Sequence, residues 1–190
     1  MQLYRLKYKE MPWGDYGDIL LTGMTSHLNR HNGLLQYVRT GPFQPDIIIS
    51  GLNDLLVTDS VKKKIEESDL KGFEFKSVIK RHISIVDWTA WDLERETPEF
   101  YPDNGDPENY ILGLPHSQEF ADKMENVWEV IVDKNGCFIN SRTYEQGSKD
   151  IDVMRAGNSG WFLVTEKAKS WIENNCDEWT EFWDLDDLPY

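Results

Sequence analysis

The chain has 190 residues, eight each of Trp, Tyr and Phe, and a formal net charge of −14. That length and aromatic content supply a real hydrophobic core and exclude wholesale disorder. No apolar run approaches the ~18 residues of a membrane span, the opening MQLYRLKYKE has no stretch of signal-peptide length, and Cys137 and Cys176 form no CxxC pair.

A cytoplasmic protein without a disulfide framework is therefore expected. The charge is segregated: residues 1–90 hold 12 Lys/Arg and 11 Asp/Glu, whereas 91–190 hold 8 and 23. The expectation is a single domain, 1–190, with a near-neutral lobe (1–90) and an acidic one (91–190). So acidic a surface repels nucleic-acid phosphates and membranes and attracts basic proteins. Solubility is the plain alternative, though it needs no segregation.

Residues 2–9 alternate and read as a strand. MPWGDYGD (11–18) reads as turns, because Pro12, Gly14 and Gly17 punctuate it. MTSHLNRHNG (24–33) suggests a helical turn stopped at Asn32-Gly33. LLQYVRT (34–40) and DIIIS (46–50) are strands, the second buried on both faces. Leu55–Thr58 is extended, and Thr58 caps a helix whose apolar face is Val61 and Ile65, running to about Leu70. Phe73–Trp88 is one bent strand or two.

Residues 92–117 carry Pro98, Pro102, Pro107 and Pro115 and read as a long connection of turns. Ser117 caps a short helix, 118–124. VWEVIVD (127–133) is a strand, and Lys134-Asn135-Gly136 signals a hairpin into Cys137–Ile139. Residues 144–160 read as loop. Finally, 56–75 aligns without gaps on 163–182 with eight identities, among them Thr58/Thr165, Ile65/Ile172 and Phe75/Phe182. One strand–capped helix–strand unit used twice, or convergence on the same capping pattern, explains this equally well. The fold class expected is α+β, with mixed and antiparallel sheets and a few short helices.

Chemistry-bearing patterns are weak. His27 and His31 stand at i, i+4 without the Glu beside the first His or the third ligand of a zinc site. His116 and Glu119 flank a helix start that Ser117 already explains. DWTAWD (87–92) pairs two carboxylates at an uninformative spacing, and GNSG (157–160) lacks nucleophile-elbow spacing. No cofactor, metal or catalytic residue is assigned. From Glu173 onward, seven acids surround Trp179, Phe182 and Trp183. Aromatic anchors ringed by carboxylates suit a basic protein partner, so Trp179, Trp183, Glu178, Glu181, Asp184, Asp186 and Asp187 are the candidate contact residues, with loop 99–108 second. A final strand with its aromatics packed inward is the bland alternative.

LVTDSVKKKIEES and LKGFEF within 41–83, with YPDNGDPENYILGLPHS (101–117), resemble a pattern in bacterial immunity proteins of polymorphic toxin systems. The likeness spans about 41–117 and implies a small cytoplasmic protein that blocks a cognate toxin domain, a nuclease among the options, without catalysis. It carries no interface residues over. The function expected is thus a non-catalytic inhibitory binding protein. The rivals are an enzyme gathering Asp87 and Asp92 near His82 or His116, and an oligomeric scaffold using the aromatic C-terminus.

Overall fold

The computed structural model describes residues 2–25, 29–51, 54–100, 106–132, 137–140, 143–146, 150–157 and 159–185, with backbone alone for 138–140 and 143–146. The elements run β1 (Leu3–Tyr8), α1 (Asp15–Thr22), β2 (Leu35–Gly41), β3 (Ile47–Ile49), β4 (Leu55–Thr58), α2 (Asp59–Glu66), β5 (Glu74–Ile85), α3 (Pro107–Gly113), α4 (Gln118–Lys123), β6 (Val127–Ile131), β7 (Cys137–Asn140), β8 (Thr143–Gln146), β9 (Val153–Arg155), β10 (Phe162–Thr165), α5 (Glu166–Asn175) and β11 (Thr180–Asp184). An antiparallel sheet is ordered β11-β1-β10-β9, a mixed sheet β2-β5-β6-β4-β3, and β7-β8 form a ribbon. The fold is α+β, as expected.

Both sheets bury their facing sides in one core. Tyr4, Leu6, Phe162 and Val164 come from one sheet, Ile47, Leu55, Val57 and Val130 from the other. The helix faces Val61/Ile65 and Ala168/Ile172 complete it. Each full burial of such a side chain contributes about 1.5–3 kcal/mol. The opposite faces are covered too, by Leu3, Met154 and Leu163 in one sheet and Val127, Ile48 and Leu56 in the other. Burial on two sides is why III, LLV and FLV are continuous apolar runs rather than alternating ones.

The repeat is structural. Thr58 accepts from the Val61 N–H at 3.4 Å and Thr165 from the Ala168 N–H at 3.2 Å, each in the extended conformation an N-cap requires. Phe75 lies opposite Val130 and Phe182 opposite Leu6. Val57 lies opposite Trp128 and Val164 opposite Tyr4. Leu56 lies opposite Ile48 and Leu163 opposite Met154. Convergent capping of two helices would not reproduce the register of strands outside the aligned segment. The chain therefore contains one arrangement twice, β3-β4-α2-β5 with β6 and β9-β10-α5-β11 with β1. The fourth strand follows the first copy in sequence and precedes the second.

Several expectations need correction. Residues 15–22 form helix α1, and Gly17 is there for close approach, since a Cβ would lie 1.8 Å from the Pro12 carbonyl oxygen. Asn32 and Gly33 both take positive φ, 52° and 76°. His31 and Leu34 exchange backbone hydrogen bonds across them, so the pair is a two-residue hairpin turn and not a helix stop. Helix α2 ends at Glu66, four residues before Leu70. Of the two readings of 73–88 the single strand holds, over Glu74–Ile85; it pairs with β6 through Glu74–Ser77 and with β2, in parallel, through Val78–Ile85, and Trp88 begins a 3-10 turn. The 92–117 connection contains α3, capped by the Asp106 carboxylate with Pro107 in its first turn. The supposed loop 144–160 contains most of β8 and all of β9. The Lys134-Asn135-Gly136 turn lies outside the described residues.

Candidate functional site

The C-terminal candidates do not form one exposed surface. Trp179 is partly buried, its ring edge-on to Trp88 at 5.5 Å and to Phe43 at 5.7 Å. It ties β11 to the segment that follows β5. Glu178 is exposed. Glu181 pairs with Lys7 at 3.1 Å, and Asp184 accepts from the Gln2 side chain. Trp183 is 39% exposed, with the Lys7 ammonium 3.6 Å and the Arg5 guanidinium 5.6 Å from its ring. Phe182 packs inward. Asp186 and Asp187 lie outside the described residues.

A second surface is more open. Residues 86–126 join β5 to β6 and have no counterpart in the other unit, where β11 and β1 are not joined in sequence. This segment packs Trp88, Trp91 and Ile111 against Tyr16, Leu20 and Leu21 of α1. At its rim Trp13 meets Trp91 at 5.8 Å, and Trp91 meets Phe100 at 5.9 Å. The Trp13 indole N–H donates to the Arg95 carbonyl at 2.9 Å, holding the rim in place. Phe100 is 62% exposed. In the same stretch Asp92, Glu94, Glu96 and Glu99 are all exposed, as is Arg95, and none of the four acids makes an ion pair among the described residues. The sequence signalled the acids of this stretch but not the cluster of three tilted rings that its Trp91 and Phe100 build with Trp13, because Trp13 comes from a distant segment.

The repeated arrangement also creates two equivalent clefts. One, about 380 Å³, is lined by Arg30, Asp54, Leu55, Lys76, Glu129, Val130, Arg155 and Phe162. Its mate, about 150 Å³, is lined by Arg5, Leu6, Lys7, Ile49, Trp161 and Phe162. Equivalent strand positions put Trp161 where the larger cleft has Asp54, Arg5 where it has Glu129, Ile49 where it has Arg155, and Trp183 where it has Lys76. In the larger cleft Arg30 grips the nearly buried Glu129 through two nitrogens at 2.7 and 2.5 Å. That hydrogen-bonded carboxylate holds the Arg30 guanidinium above its ordinary pKa. Asp54 accepts from the Thr25 hydroxyl at 2.7 Å. None of these cations stood out in the sequence.

His82 and His116 do come together, with ring centroids 5.6 Å apart. His116 Nδ1 accepts from the Ile83 N–H at 2.9 Å, and its Nε2 lies 3.3 Å from Gln118. Burial, then the neighbouring His116, push the His82 pKa below the ordinary value. Asp87 instead accepts from the Thr89 hydroxyl, and Asp92 from the Glu94 N–H. Among the described residues no carboxylate bonds to either imidazole, and none of the described His, Cys, Asp and Glu residues gather in a group of three that could hold a metal ion. His27 and Asn158 lie outside the described residues, and His31 serves the hairpin turn. No helix among them is long and apolar enough to cross a membrane.

Comparison with protein families, with curated proteins and with solved structures finds no match for this chain.

Proposed function

We propose that this chain is a non-catalytic binding protein that takes a basic protein partner on the acidic, aromatic rim of residues 91–100, as an immunity protein takes its cognate toxin domain. One observation carries the reading: an exposed Phe100, backed by Trp91 and Trp13, ends a nine-residue stretch, 92–100, with four exposed carboxylates that make no ion pair among the described residues. The ring supplies area to bury, and the carboxylates supply long-range attraction and orientation. A nuclease, whose own surface must attract phosphate, presents the complementary charge. Glu178 and Trp183 are the C-terminal residues best placed to contribute. Trp179, packed against Trp88 and Phe43, acts by holding the rim segment to the repeat.

Co-expression with the protein encoded beside it, followed by isolation of the complex, tests the proposal. The expected result is a stoichiometric complex whose association slows as salt rises. A complex that forms equally well after Phe100→Ala combined with Glu94→Lys and Glu96→Lys would place the contact elsewhere.

A further inference from the structure

We propose that the larger of the two equivalent clefts binds a small molecule consisting of a flat aromatic ring bearing an anionic group. The smaller cleft shows what this shape of surface accommodates. There the Arg5 guanidinium lies 4.1 Å from the Trp161 ring and 5.6 Å from the Trp183 ring. The protein thus lines that copy with its own Trp161 indole, held against a cation that Trp183 flanks. In the larger copy both indole positions hold short or flexible polar residues, Asp54 and Lys76, and about 380 Å³ stays open, a size typical of small-molecule sites.

Charge selects the rest of the ligand. The two carboxylates of the larger cleft are committed, Glu129 to Arg30 and Asp54 to Thr25. Two of its cations are not. Lys76 donates to the Gly33 carbonyl at 2.7 Å, and Arg155, whose guanidinium lies 5.5 Å from the Phe162 ring, donates through Nε to the Gly160 carbonyl at 3.0 Å. Neither makes an ion pair among the described residues. On a chain of net charge −14, a cleft that sets three cations, Arg30, Lys76 and Arg155, against two carboxylates is a local reversal of sign. Leu55, Val130 and Phe162 give the cleft an apolar floor for a ring. A phosphate or carboxylate on that ring would take the free guanidinium and ammonium N–H groups through charge-assisted hydrogen bonds.

Phenyl phosphate is the direct probe, with inorganic phosphate and phenol as its two halves, read by thermal shift and calorimetry at fixed ionic strength. Phenyl phosphate should bind saturably and more tightly than either half. Arg155→Gln and Lys76→Gln should each weaken it about tenfold, as loss of a charge-assisted bond implies. Lys76→Trp, which supplies the ring that the smaller cleft already has, should abolish binding. Lys63→Gln, on the outer face of α2, should leave it unchanged. Should a variant fail to fold, ligand-induced NMR shifts in the unaltered protein at Leu55, Val130 and Phe162 decide the matter. Binding of phenyl phosphate no tighter than of inorganic phosphate, or shifts confined to other residues, would overturn the proposal.

Discussion

Asp46 and Asp177, 131 residues apart, exchange hydrogen bonds: the Asp46 N–H donates to Asp177 Oδ2 at 2.8 Å and the Asp177 N–H donates to Asp46 Oδ2 at 3.0 Å. A second clasp answers it, where Asp152 Oδ2 accepts from the Lys71 N–H at 2.9 Å and the Asp152 N–H donates to the Lys71 carbonyl at 2.8 Å. In each case the residue before a unit's first strand clasps the chain leaving the other unit's helix. The helices repeat the exchange, Lys64 reaching the Asn175 carbonyl and Lys167 the Asp69 carbonyl.

The clasp has a stability signature. Burial is the first cause holding the Asp177 carboxyl above its ordinary pKa, so its charge is a cost to the fold at neutral pH. Its contribution therefore improves as pH falls through the folded value toward the unfolded one. Asp177→Asn keeps an acceptor oxygen and removes the charge. It should match or exceed the unaltered protein in urea unfolding at pH 7. Asp177→Ala strands the Asp46 N–H and should cost about 1–2 kcal/mol.

The two N-caps should differ in a defined way. Thr58→Ala removes the cap bond and a 3.0 Å contact with the partly exposed Ser60 hydroxyl, which water can replace, and should cost about 1 kcal/mol. Thr165 also donates its hydroxyl to Asp152 Oδ1 at 2.9 Å, so Thr165→Ala should cost more, on the order of 2 kcal/mol. Equal values in chemical denaturation would show that the Asp152 bond adds nothing to the cap.

Acid sensitivity should trace to His82. Its folded pKa is lowered, chiefly by burial and then by His116; Arg81 lowers it further, while backbone hydrogen bonds with Leu114 and Ile111 raise it. The unfolded chain binds the proton first as pH falls. The stability is complete above the unfolded value of ~6.5 and is lost below it, at no more than ~1.4 kcal/mol per pH unit for one proton. Unfolding free energies measured from pH 7.5 to 5 should decline less steeply in His82→Phe. Identical slopes would assign the acid sensitivity to other groups.

The two C-terminal tryptophans should separate cleanly. Trp179→Ala opens a gap between Trp88 and Phe43 and should destabilise by about 3 kcal/mol. Trp183, 39% exposed on the edge strand, should cost under about 1 kcal/mol when truncated. Any loss of partner binding in Trp183→Ala is then a contact effect, whereas in Trp179→Ala it follows from a loosened rim.

Local physics was legible in the sequence, and its long-range consequences were not. Thr58, Val61 and Ile65 announce a capped helix because cap, charge and spacing all lie within eight residues. The second copy was visible for the same reason. Helix α1 was not, because Gly17 reads as a turn until Pro12 is seen pressing on it. Asn32-Gly33 has the composition of both a helix stop and a hairpin, and only the partner strand decides. The acid-rich stretch was visible as composition, but its rings assemble from residues 13, 91 and 100. The open cleft had no local signal, since its three cations, Arg30, Lys76 and Arg155, come from three separated segments.

The most direct measurement is the association rate of the cognate partner as a function of ionic strength, with the unaltered protein and with Glu94→Lys/Glu96→Lys/Glu99→Lys. An acidic docking rim implies a rate that falls steeply with salt in the unaltered protein. In the triple variant it should be slower by tenfold or more, roughly, and nearly independent of salt. A variant that associates at the unaltered rate, with the unaltered salt dependence, would contradict the assignment of residues 91–100 as the contact.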